Sequence, residues 1–210
     1  SINDEISKDA LNFVDSSLSF LLFLPEMERL FLSSPSYRRN FLDKLIFSEN
    51  KNYNKLINNY KKKLQERSKL LQFNNFDETW INTIERDIAK TGIEIYKYRL
   101  EQIDIINKHI SIIKQVHNYP LNINFSLKDD FYTNNITYEK YINILSDSRL
   151  VDMKIGGSKI GPHKSDFIGT INNETDASQL STGQQKTLIL MVLIAQCDYL
   201  INIKNIKPIL

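Results

Sequence analysis

The apolar positions of this 210-residue chain change period several times, and each change marks an element. From Leu18 to Leu24, "LSFLLFL" is an unbroken apolar run closed by Pro25, the pattern of a short buried strand. Ser34 and Pro35 then offer an N-cap and a first helical residue, and Phe41, Leu42, Leu45 and Ile46 follow at helical spacing. Two longer helical stripes come next. Tyr53, Leu56, Ile57, Tyr60, Leu64 and Leu71 share one face; Ile81, Ile84, Ile88, Tyr96, Leu100, Ile103, Ile106, Ile110 and Ile113 share another, with a gap at Gly92. The connection "QFNNFDETW" is short, so these two stripes predict an antiparallel helical hairpin.

Beyond Pro120 the period drops to two, and "LNINFSL" predicts a strand. Thr137 then caps a short helix reaching Leu145, with Glu139 suiting the dipole of its first turn. "DMKIGGSKIGPHKSDFIGTIN" holds four of the six glycines and predicts a hairpin ending near Asn172. "LSTGQQKTLILMVLIAQCD" predicts a buried helix to about Leu200 with a polar N-terminus, and an apolar strand begins at Ile206.

Composition narrows the class more than the function. A hydrophobic content of 41% lets the chain bury a core, whereas a net charge of +2 is too small to argue for nucleic acid, so that case rests on local clusters. Cys197 is the single cysteine, which excludes an internal disulfide and suits a reducing cytosol; burial and inertness are expected for it. "SINDEISKDA" lacks the pattern of a secretory signal, and no apolar run reaches the roughly 18 residues of a membrane span. A soluble, cytoplasmic protein without membrane contact is therefore expected. The chain opens without Met and closes on "IKPIL", so both ends are expected to be cut from something longer.

Chemistry concentrates in a few short stretches. In "LSTGQQ", a Ser two residues ahead of a Gly at a helix start exposes backbone N–H groups and a hydroxyl at the positive end of the dipole. Gly183 lets an anion approach the backbone closely, and Gln184 adds an amide; on these six residues alone, an ordinary Ser181 cap explains them equally well. Arg38 and Arg39 sit at a helix start against the local dipole, which suits either an external phosphate or pairing with nearby acids. Lys61, Lys62 and Lys63 read as a solvated face or as phosphate contacts. His163 stands in a Gly-Pro turn and suits structure or contact with phosphate or DNA; His109 and His117 fall on a polar face and are expected to be solvated. No Ser/His/Asp set, carboxylate pair or metal-ligand spacing stands out, so no catalytic residue and no metal ligand is assigned.

The motifs carry a resemblance. "LSTGQQKTL" resembles the signature of ABC-type ATPases, and its doubled Gln followed by a basic residue is the form of the RecF family of bacterial recombinational-repair proteins. "GPHKSD", "LPEMERLF" and "SPSYRRNFLDKLIF" resemble further blocks of that family in the same order, across nearly the whole chain. Thr182 replaces the usual Gly of the signature, and Lys164 replaces an Arg, which puts a bidentate contact there in doubt.

The resemblance implies an α+β, mostly helical fold: a helical-hairpin lobe with a small mixed sheet, inserted into a P-loop ATPase head that is incomplete here. Residues 1–47 would join the strand and the Arg-Arg helix to the ATPase lobe, residues 48–150 would form the helical lobe, and residues 151–210 would carry the GPHKSD hairpin, the signature helix and the start of the catalytic strand. It further implies ATP and Mg2+, sandwiched in a homodimer, with Ser181, Gly183 and Gln184 meeting the γ-phosphate held by the partner subunit. Implied too are DNA with single-stranded gaps, the partners RecO and RecR, and roles in replication, recombinational repair and the SOS response. Arg38, Arg39, Lys61, Lys62, Lys63, His163 and Lys164 are the DNA-contact candidates. A phosphate loop needs G-x-x-x-x-G-K-[ST], but Lys186 has Gln185 and Leu180 where the glycines belong, and Lys159 is flanked by Ser158 and Ile160. The weak DNA-dependent ATPase implied for the intact protein is therefore not expected of these 210 residues alone. A non-catalytic helical scaffold, or another SMC-like head, is the alternative.

Overall fold

The structure is a computed structural model describing residues 17–73, 77–117, 122–132, 136–172 and 174–209. Strand β1 (Leu18–Phe20) leads through a 3₁₀ segment (Pro25–Leu32) to α1 (Pro35–Glu49), α2 (Tyr53–Leu71) and the long α3 (Glu78–His117). Then come β2 (Ile123–Lys128), α4 (Tyr138–Asp147), α5 (Arg149–Ile155), β3 (Asp166–Ile171), β4 (Thr175–Asp176), α6 (Thr182–Asn202) and β5 (Lys207–Ile209). The mostly helical α+β class expected from the sequence is the one observed.

Local chemistry explains the helix starts. Ser34, Thr137 and Ser181 each turn an extended backbone into a helix and accept an amide hydrogen from the first turn, at Tyr37, Lys140 and Gln184 respectively. Helices α2 and α3 pack as the expected hairpin, burying Tyr53, Ile57, Tyr60 and Leu71 against Ile84, Ile88, Ile95 and their neighbours. Helix α3 continues through Gly92 without interruption.

Two small sheets complete the fold, of which the first packs against α3. β2 and β3 pair antiparallel with Phe125 opposite Gly169 and Leu127 opposite Phe167, and β4 extends the ladder. The outer edge of β2 is covered by Asn107 of α3, whose amide accepts from the Phe125 N–H and donates to its carbonyl, each at 2.8 Å. Phe31, Phe41, Phe125 and Phe167 interlock beneath the sheet with centroids 5.3 to 6.4 Å apart. The second sheet pairs β1 with β5 in parallel, Phe20 beside Ile209.

Several expectations need correction. The apolar run Leu18–Leu24 is a strand only to Phe20; Leu21 still donates to the Ile209 carbonyl, after which Pro25 starts the 3₁₀ segment. The predicted hairpin ending at Asn172 does not exist, because its first half is helix α5, ended by Gly156 in the left-handed conformation (φ 80°), and β3 pairs with β2 instead. Those glycines mark a helix C-cap and a loop, not a β-turn. The last strand starts at Lys207, one residue later than expected. His109 is buried, not solvated: α6 docks over that face of α3, and the ring bonds Asp198 and stacks edge-on against Tyr199. The side chain of His117 lies outside the described residues. Cys197 is half-buried, and burial pushes its thiol above the ordinary value.

Candidate functional site

The signature stretch folds as a closed capping box. The Ser181 oxygen accepts from the Gln184 N–H, while the Gln184 side-chain oxygen accepts from both the Ser181 N–H and its hydroxyl at 3.0 Å. The two glutamines part ways: Gln184 sits at the exposed helix end, whereas Gln185 is fully buried and its amide donates to the Leu180 carbonyl. Lys186 ties the start of α6 to Glu28 of the 3₁₀ segment at 2.6 Å.

No acidic residue occupies the first turn of α6, so the positive end of a 21-residue helix is left uncompensated at the surface. Gly183 stands at that end with nothing within 4 Å of where a Cβ would be. Glycine at a helical position is unfavourable relative to alanine, and nothing among the described residues requires it. The donors gathered here, backbone N–H groups, a hydroxyl and an amide, suit phosphate oxygens. They include no carboxylate for Mg2+; among the described residues no group of three or more His, Cys, Asp or Glu could hold a metal ion.

A second cluster joins motifs far apart in sequence. Arg38 makes a fork with both oxygens of Asp166, 128 residues away, at 2.7 and 2.6 Å, and donates to the carbonyls of Phe31 and Ser33. Arg39 donates to the Ser165 carbonyl at 2.7 Å. Arg99, almost fully buried, pairs with both oxygens of Asp43 at 2.9 Å and with the Ser165 hydroxyl and the Pro162 carbonyl. Asp43, together with the Tyr53 hydroxyl, holds Arg99 protonated against burial and drives its pKa upward.

The "GPHKSD" turn is thus a built structure. Gly161 has φ 120°, and a Cβ there would fall 2.3 Å from the Tyr141 hydroxyl and 2.4 Å from that of Tyr60. His163 Nε2 faces the Ser158 carbonyl at 2.9 Å and so carries the hydrogen, leaving Nδ1 to accept from the Tyr60 hydroxyl at 2.9 Å. Burial first, then the charges of Lys164, Arg39 and Arg99, lower the His163 pKa, opposed by its bond to Ser158.

The structure therefore sorts the sequence candidates. Arg38 is committed to Asp166 and His163 to the Tyr60–Ser158 chain, each filled by partners within the protein. Lys62 and Lys63 lean on Glu66 at 4.0 and 3.2 Å, and Lys63 also reaches Asp87 at 3.4 Å. Lys61 and Lys164 are exposed, and among the described residues neither makes an ion pair. Sequence reasoning missed Arg67 and Arg99, both buried, because arginines beside helical apolar stripes read as surface.

No family model matches the chain. The DNA replication and repair protein RecF of Rickettsia bellii is 28% identical over 216 residues, 97% of this chain and 58% of that protein. Its counterpart in Rhizobium leguminosarum bv. trifolii is 29% identical, over 100% and 57%. The solved structure of the recombination mediator protein RecF with ATP, of the RecFOR pathway, superposes with a TM-score of 0.79 at 25% identity, covering 91% of this chain and 53% of that one. The chain is RecF-like. A second RecF structure, with an ATP analogue, matches equally well. The RecF-like chain spans somewhat over half the length of these relatives, and the superposition marks it as part of an ATPase-head fold. No helix among its described residues is long and apolar enough to cross a membrane.

Proposed function

We propose that the RecF-like chain supplies the trans half of an ATP site in a DNA replication and repair protein. One observation carries this reading: Gly183, with open space around it, at the positive N-terminus of α6, which has no acidic residue in its first turn, beside Ser181 and Gln184. In this reading ATP and Mg2+ are held by the phosphate loop of a second subunit, and the γ-phosphate meets Ser181, Gly183 and Gln184 across a homodimer interface. Ser181 and Gln184 then exchange their mutual bonds for bonds to phosphate, so nucleotide opens the capping box. Closure of the dimer clamps DNA bearing single-stranded gaps, in concert with RecO and RecR, in cytoplasmic recombinational repair and the SOS response.

The three segments take distinct parts. Residues 1–47 link the strand and the Arg-Arg helix to the head, residues 48–150 form the lobe, and residues 151–210 carry the trans motif. The exposed basic residues, Lys61 and Lys164 with Lys62 at the rim, are the long-range DNA contacts.

Joining the 210 residues to a RecF phosphate-loop lobe and measuring ATP-dependent dimerisation by analytical ultracentrifugation tests this reading. Ser181→Arg is expected to abolish dimerisation. Gly183→Ala is expected to weaken it roughly tenfold, by placing a methyl group against the phosphate, while leaving the isolated chain as stable or up to about 1 kcal/mol more stable. Unchanged dimerisation in both variants would leave α6 as an ordinary capped helix in a scaffold.

A further inference from the structure

We propose that the cleft between α1 and α2 is a phosphate-binding pocket, with Arg39 at its floor and Lys61 at its rim. The inference deepens the DNA-binding part of the proposed function and rests on it only for the choice of a nucleic-acid ligand.

The cleft has a volume of about 190 Å³ and is lined by Ser36, Arg39, Asn40, Tyr60, Lys61 and His163, among others. Its charge is unbalanced. Asp43, the one carboxylate in its wall, is already neutralised by the two-pronged contact with Arg99 and a bond from Tyr53. Arg39 is half-buried, and its single bond among the described residues is to the neutral Ser165 carbonyl, with no carboxylate in ion-pair range. A guanidinium withdrawn from water is ordinarily paired, and the missing counter-charge is what a bound anion supplies. Burial, and next the repulsion of Arg99, lower the proton affinity of Arg39, and the more distant charges of Asp166 and Asp43 offset this only in part. His163 contributes a wall and no charge, because both its nitrogens are engaged.

Size selects the ligand. Pockets that enclose a whole drug-sized molecule start at roughly 300 Å³, so this cleft takes a phosphate group but not a base. Asn40, Asp43, Ile57 and Lys61 also form a wall of a wider cavity of about 440 Å³ bearing Tyr37 and Phe47, which offers aromatic surface for the attached nucleoside. The shared chemistry is a phosphate ester, from a nucleic-acid strand or a free nucleotide.

The test uses the 210-residue chain without ATP, with a fluorescent single-stranded oligodeoxynucleotide followed by anisotropy, and thymidine monophosphate and inorganic phosphate followed by NMR of the arginine Nε–H signals. Arg39→Gln is expected to weaken oligonucleotide binding about tenfold or more, Arg39→Lys less, and Lys61→Gln about threefold with a shallower salt dependence. Lys55→Gln, an exposed lysine of α2 outside the cleft, should change nothing. Should Arg39→Gln fail to fold, Lys61→Gln at its exposed position decides alone. Phosphate or monophosphate binding that needs Arg39, without oligonucleotide binding, upholds the pocket and removes the DNA reading. Oligonucleotide binding indifferent to Arg39 and Lys61 overturns the pocket and spares that reading, and failure of every ligand to bind overturns the pocket.

Discussion

His163 is held neutral from two sides, since its Nε2–H is spent on the Ser158 carbonyl and its Nδ1 accepts from Tyr60. Its folded pKa lies below the ordinary 6.5, chiefly through burial and then through Lys164, Arg39 and Arg99. Between the two values the unfolded chain binds more protons than the folded one, so stability is fully present above about pH 6.5 and is lost as pH falls through the folded pKa. Urea denaturation across pH 5 to 7.5 is expected to show that decline in the parent and a flatter profile in His163→Gln; parallel profiles would place the titrating group elsewhere. At this scale the sequence was legible where the cause is local. The caps Ser34, Thr137 and Ser181 bond within three residues of themselves, so their role can be read off the string. The Arg38 fork could not be, because its partner Asp166 lies 128 residues away and only the fold brings them together.

At the scale of elements, the helical lobe is pinned by a buried ion network. Arg67 of α2 is about 1% exposed, and it bonds Glu85 of α3 at 2.8 Å, Asp152 of α5 at 2.7 Å and the Leu145 carbonyl at the end of α4. Arg149 adds a second cation on Glu85, so two arginines balance two carboxylates across three helices. Removing Arg67 strands Asp152 in a medium that cannot solvate it and leaves Glu85 with Arg149 alone. Arg67→Met is therefore expected to lower the unfolding free energy by about 3 to 5 kcal/mol, and adding Asp152→Asn should recover part of that. A loss under about 1 kcal/mol in chemical denaturation would show that water reaches the network. The hairpin itself was legible from its 3.6-residue stripes, but this staple was not, since Arg67 is a polar letter beside an apolar face. Helix α5 escaped notice for a related reason: seven residues carry too few turns for a period, and the glycines after it imitate a β-turn.

At the scale of the molecule, β1 and β5 leave one face of their sheet bare among the described residues. Ser19 and Leu21 point inward and are buried, while Phe20 (64% exposed), Leu22 (62%) and the paired Ile209 (44%) point outward. Parallel strands are ordinarily covered on both faces, so this alternation leaves an apolar surface that no other described residue covers. In the proposed reading that layer belongs to the phosphate-loop lobe, and in the same reading "LSTGQQ" is only half a site because it would act on a nucleotide held by another subunit. The bare face has a cost in the isolated chain, because contiguous exposed apolar surface promotes association. Sedimentation of the 210-residue chain is expected to show concentration-dependent self-association together with binding of a hydrophobic dye. Phe20→Ser with Leu22→Ser should suppress both, since these side chains already face solvent and their loss removes little from the core. Joining the phosphate-loop lobe of a RecF relative should suppress both as well, with the parent residues retained. If the lobe leaves dye binding unchanged, the face is covered by something other than the rest of the head, and the two-stranded sheet is not the seam between the halves.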